Sequence, residues 1–172
     1  MLNINRNTFK GFILLVFFVC LSFSSNIYAV EPGTKAPDFE LPGSQGTVKL
    51  SSTVGSVVYV DFWASWCGPC RQSFSWMNSM QEKYRAQGLQ IIGVNLDAKN
   101  EDAKKFLSQI PASFSVAFDS KGLTPRAYGV KGMPTSFLIG RDGKIISQHS
   151  GFKEADRESL EKQIKAALEA KK

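Results

Sequence analysis

Two cysteines three positions apart, Cys67 and Cys70, follow a run that is apolar at nearly every position from Val57 to Trp63. This junction constrains the fold more than any other stretch. A continuous apolar run of this length reads as a central strand covered on both faces, and the residues after Cys70 read as a helix. Both sulfurs therefore stand where a buried strand enters a helix.

That placement has chemical consequences. A thiol at a helix start feels unsatisfied N–H groups and the positive end of the helix dipole, which favour the thiolate. Cys67 is the candidate nucleophile. Pro69 falls in the first turn, where its missing N–H costs little, and Gly68 leaves room for a partner chain to approach. Cys70 is placed to attack a mixed disulfide formed on Cys67 and release the partner. Two blander readings are a zinc knuckle and a stabilising disulfide. Zinc needs about four ligands, and His149 is the only histidine. A staple closing so short a loop constrains the unfolded chain weakly.

The segment Asp61–Cys70 resembles the thioredoxin active-site strand and loop. The surrounding layout is similar to the extracytoplasmic TlpA/ResA-like branch of that superfamily, over nearly the whole chain after residue 29. The resemblance implies an α/β thioredoxin fold: a central mixed sheet flanked by helices, with an N-terminal β-hairpin and a central α–β insertion. It also implies a protein-disulfide reductase fed by a membrane thiol reductase of the DsbD or CcdA type.

The N-terminus reads as an export signal. Arg6 and Lys10 precede an apolar run from Gly11 to Phe23, then polar Ser24, Ser25 and Asn26, then Ile27-Tyr28-Ala29. The expected division is a signal peptide over 1–29 and one thioredoxin-like domain over 30–172. A retained segment would instead anchor the protein to the inner membrane, facing the periplasm. Cys20 lacks the preceding small residues of a lipoprotein site, so cleavage would leave Cys67 and Cys70 as the only thiols. Removing Arg6 and Lys10 takes the net charge from +6 to +4. The remaining basic residues alternate with acids along the C-terminal helix, which reads as a solvated face more often than as a nucleic-acid site, and no nucleic-acid partner is expected. No Gly-rich phosphate loop occurs, and neither cofactor nor metal is expected.

Short strands are expected at Phe39–Leu41 and Thr47–Leu50 around the turn cluster Pro42–Gly46. Phe74, Met77, Met80 or Gln81, and Tyr84 recur at helical spacing, and that helix ends near Gly88. Leu89–Leu96 is a second buried strand. Asn100 is the expected N-cap of a helix through Ile110, ended by Pro111, and Phe114–Asp119 is a short strand. These two elements match the insertion that the resemblance implies. One or two helical turns follow over Leu123–Tyr128. Thr135–Ile139 and Lys144–Gln148 form a hairpin across Arg141-Asp142-Gly143, and Glu154–Ala170 is an amphipathic helix.

Further site residues complete the expectation. Asp61, in the strand leading to Cys67, is the candidate general base that takes the Cys70 proton, acting through a water. A carboxylate that caps a strand end or is hydrogen-bonded is the alternative. The resemblance implies a cis Met133–Pro134 bond facing the disulfide, so that Met133, Pro134 and Thr135 dock an extended client segment. A trans proline opening an edge strand is the other reading. Trp66 is expected to pack beside the disulfide, limiting water access and offering partners an apolar contact, Trp63 to lie in the core, and Trp76 in the core or a groove. Ser73 and Ser75 stand where many TlpA/ResA-like proteins carry glutamate and proline, and Gly93 where thioredoxin carries lysine. His149 is expected to be exposed and satisfied.

Disulfide-containing exported proteins are the expected clients, and a monomer is expected. Three other functions compete. A peroxiredoxin needs Thr and Pro where this chain has Ala64 and Val60. A periplasmic copper module would hold Cu(I) between the two thiolates, and a disulfide-forming oxidant would share the same dithiol.

Overall fold

The computed structural model describes residues 30–170. The expected signal segment, 1–29, with Cys20 in it, lies outside the described residues. Seven strands form one mixed sheet in the order β2-β1-β5-β4-β3-β6-β7. They are β1 (Glu40–Gly43), β2 (Gly46–Lys49), β3 (Val57–Trp63), β4 (Leu89–Asn95), β5 (Ser115–Phe118), β6 (Thr135–Ile139) and β7 (Ile145–Ser150). Among the described residues four α-helices accompany them: α1 (Gly68–Tyr84), α2 (Asn100–Gln109), α3 (Leu123–Ala127) and α4 (Arg157–Glu169).

Strand β3 is buried at all seven positions, which explains its unbroken apolar run. It pairs in parallel with β4 and antiparallel with β6. Helix α1 is thus the crossover of a βαβ unit and carries the cysteines to the carboxyl end of β3. Period-two alternation divides β3 between two cores. Tyr59 and Trp63 face α1, α2 and α4, together with Phe74, Met77, Phe106 and Leu160. Val58, Val60 and Phe62 face a second cluster with Phe39, Tyr128 and Phe137. Asp61 falls on the α1 side by the same alternation.

The insertion is welded to the cysteine helix by rings. Trp63 lies 4.7 Å from Phe74 and 4.9 Å from Phe106 of α2 between ring centroids, and Phe74 lies 5.2 Å from Phe114. Strand β5 then wedges between β4 and the N-terminal hairpin. Only glycine fits at the hairpin's corner: a Cβ on Gly43 would stand 2.6 Å from the Gly46 oxygen and 2.8 Å from the Val116 oxygen.

Several expected boundaries shift. The hairpin turn is Ser44-Gln45 alone, because Pro42 and Gly43 pair with Thr47 and Gly46 inside the ladder. Lys99, with extended backbone, is the N-cap of α2, and Asn100 is its first helical residue. Strand β7 runs on to Ser150 because it follows β6 as far as Thr135. A short 3-10 turn, Glu154–Asp156, precedes α4. Helix α1 ends at Tyr84 and a 3-10 turn carries the chain to Gly88 (φ 94°), the left-handed stop expected there.

Candidate active site

Cys67 is the N-cap of α1, and its Sγ accepts the backbone N–H of Cys70 at 3.3 Å. Gly68 and Pro69 take the first two helical positions, where an absent N–H breaks no intrahelical bond. The two cysteines form a disulfide with Cα atoms 5.3 Å apart. Cys67 is 5% exposed and Cys70 fully buried. One sulfur thus lies nearer solvent, and the other is closed off from it.

A residue that sequence reasoning missed fixes the approach loop. The buried carboxylate of Asp97 accepts the Ser65 backbone N–H at 3.0 Å, the Ser65 hydroxyl at 3.0 Å and the Asn95 amide at 2.8 Å. It ties the end of β4 to the turn that delivers Trp66 and Cys67. Nothing in the local sequence marks it, because its partner lies 32 residues away.

Asp61 is 2% exposed, and its Oδ2 is buried without a hydrogen-bond partner. Loss of solvation holds its carboxyl well above the usual carboxylate range. Of the two readings for Asp61, the hydrogen-bonded cap finds no bond at this atom. Gly93 is its partner in β4. A Cβ on Gly93 would stand 3.0 Å from Phe114 and 3.1 Å from the Trp63 indole nitrogen, so packed rings occupy the room a lysine would need. Gly93→Ala is expected to lower stability by about 1–3 kcal/mol through overpacking, read as an earlier denaturation midpoint at unchanged slope.

The Met133–Pro134 peptide bond is cis. Thr135 pairs with Phe62, which brings this loop to the carboxyl end of β3, and Met133 packs against the cluster that holds both cysteines. A cavity of about 720 Å³ opens beside Met133, Pro134 and Thr135, with Arg126 and Lys131 in its wall and no acidic side chain lining it. The hydroxyl of Ser73 donates to the Cys70 carbonyl at 3.0 Å inside the core.

Two expectations change. Trp66 is 73% exposed, an open apolar surface beside Cys67 rather than a packed cover. His149 is half-buried, with Nε2 at 3.3 Å from Asp156 Oδ2, because α4 folds back over β7. Trp76 is core: its ring meets Tyr59 edge-on and Phe152 at a tilt. Among the described residues no cluster of three or more histidine, cysteine or carboxylate groups could hold a metal, and no helix is long and apolar enough to cross a membrane.

The AhpC/TSA family profile matches residues 32–148. The chain belongs to this thioredoxin-fold family. It is 34% identical to the thiol-disulfide oxidoreductase ResA of Bacillus cereus over 94% of this chain and 96% of the relative. A crystal structure described as thiol:disulfide interchange protein DsbE from Chlorobium tepidum shares 68% identity and a TM-score of 0.81, covering 81% of this chain and 99% of that one. A solution structure described as a protein disulfide isomerase from Bacteroides thetaiotaomicron, 29% identical, gives 0.75 over 82% and 92%. Within the AhpC/TSA family, this chain is a thiol-disulfide oxidoreductase of the ResA/DsbE type. Val60 and Ala64 stand where a peroxidatic site carries proline and threonine, and both are packed in the core.

Proposed function

We propose that this protein is an exported disulfide reductase that acts on other exported proteins through Cys67-Gly68-Pro69-Cys70. One observation carries the reading: Cys67 Sγ accepts a backbone N–H at the mouth of α1, a bond that strengthens when the sulfur is a thiolate. The Cys67 thiolate attacks a client disulfide, joining one client sulfur and expelling the other as thiolate. Cys70 loses its proton to Asp61 and attacks Cys67. The second client thiolate leaves, and the Cys67–Cys70 disulfide holds the two electrons' worth of oxidation.

An extended client segment pairs with the backbone at Met133, with Pro134, Thr135, Trp66, Gly68 and Pro69 forming the walls of the dock. The oxidised enzyme is recharged by a membrane thiol reductase of the DsbD or CcdA type, in a periplasm reached by the 1–29 signal segment. A Gly-Pro pair between the cysteines matches thioredoxin, whose potential is about −270 mV, rather than DsbA at about −120 mV. Equilibration with glutathione is expected to place this dithiol near the thioredoxin value. A potential near that of DsbA would make the protein an oxidant and overturn the direction.

A further inference from the structure

His149 and Asp61 stand at two ends of one polar row across the sheet. Asp61 pairs with Ser136, and Ser136 pairs with His149. Directly opposed residues project from the same face with Cβ atoms about 4.5–5.5 Å apart. Three polar side chains therefore cross β3, β6 and β7 in step on the side that α1 and α4 cover. The row climbs from Asp61, 2% exposed, to His149, whose side chain is 32% exposed.

The middle of the row is wired for proton exchange. The Tyr59 hydroxyl donates to Ser136 Oγ at 2.7 Å, which leaves the Ser136 proton to be donated elsewhere. A cavity of about 10 Å³ lies among Tyr59, Ser136, Ser147, His149 and Gln163. That is about the room one water occupies, and these polar walls supply the two to four partners a water needs. At the inner end, Asp61 Oδ2 is buried without a partner. Asp156 faces His149 from the turn before α4, Gln163 and Leu160 face the cavity from α4, and Tyr59, two residues before Asp61 on β3, reaches Ser136 from the neighbouring row of Leu138 and Ser147. Gly93 of β4 adds no charge beside Asp61, and α1 contributes the cysteine pair to the same core.

We propose that Ser136 and His149 form the exit by which the proton that Asp61 takes from Cys70 reaches solvent, which makes both of them positioning residues for the resolving step. The inference rests on the reading of Cys70 as resolver. Cys70 gives its proton to the Asp61 carboxylate as its sulfur bonds to Cys67 and the client sulfur leaves with the electron pair. Ser136, opposite Asp61 in the register but not hydrogen-bonded to it at rest, turns to accept the Asp61 proton while passing its own through one water to the imidazole, and the imidazole releases one proton to solvent. One proton enters the row and one leaves it. Burial keeps Asp61 protonated far above the usual range, so the carboxylate must be regenerated before each resolving step.

The test uses the full chain carrying Cys20→Ser, reduced and mixed with 5,5′-dithiobis(2-nitrobenzoate). Attack by Cys67 releases a first thionitrobenzoate, and attack by Cys70 on the mixed disulfide releases a second. Both His149→Gln and Ser136→Ala are expected to slow the second release on the order of tenfold with the first unchanged. Added imidazole should restore the second release in His149→Gln while leaving the parent indifferent. A parental second phase in either variant overturns the relay, as does a slowed His149→Gln that imidazole does not rescue. A parent that shows no second release overturns the assignment of Cys70 instead.

Discussion

Cys67→Ser is expected to reduce disulfide-reductase activity to background, a loss of roughly a thousandfold or more in insulin reduction, whereas Cys70→Ala should stop the reaction half-way. The asymmetry follows from position. Cys67 caps α1 and accepts a backbone N–H, while Cys70 sits inside the helix with no exposed surface and cannot meet a client directly. A serine at 67 keeps a capping oxygen, so the helix survives and the loss is chemical rather than structural. The Cys70→Ala variant retains the attacking sulfur but has nothing to displace the client. It should accumulate mixed disulfides visible on non-reducing gels, and the captured chains identify the clients. Full activity in Cys67→Ser would remove the basis of the proposed mechanism.

Asp61→Asn is expected to stabilise the protein at neutral pH and yet slow it. Burial raises the folded-state pKa of Asp61, so the folded chain holds a proton that the unfolded chain has released. Below the unfolded value, about pH 4, both states are protonated, and Asn and Asp should be nearly equivalent. As pH rises from there, the unfolded parent gains by ionising and the folded parent does not. The parent loses stability at up to about 1.4 kcal/mol per pH unit until the folded pKa is passed. The advantage of Asn should therefore be absent near pH 4 and grow towards pH 8, as read from denaturant midpoints across that range. Over the same range the amide cannot accept the Cys70 proton, and release of the second client thiol should slow on the order of a hundredfold. A variant no more stable than its parent at pH 8 would show that Asp61 is ionised in the fold.

How far the sequence carries is clearest at three places. The apolar run into Cys67 specified β3, its burial and the helix beyond, because continuous burial and a helix-start thiol each leave a local imprint. The turn signals of the hairpin span five residues, Pro42–Gly46, where two form the turn. Pro42 signals a break locally, but the pairing of Pro42 with Thr47 is a property of two strands together. The boundary at Asn100 slipped by one residue for a similar reason: a capping residue type predicts a cap only where the backbone stays extended, and here Lys99 does so.

The chain itself determined that two sulfurs stand at a strand-to-helix junction with a carboxylate six residues upstream, since spacing, strand periodicity and helix-end chemistry are all local. Only the tertiary structure decided what surrounds them. Asp97 reaches Ser65 across 32 residues, Trp63 and Phe114 fill the space beside Gly93, and strand register alone sets Asp61, Ser136 and His149 in one row. Contacts between residues far apart in the chain depend on register and packing, which arise only when the strands are laid side by side.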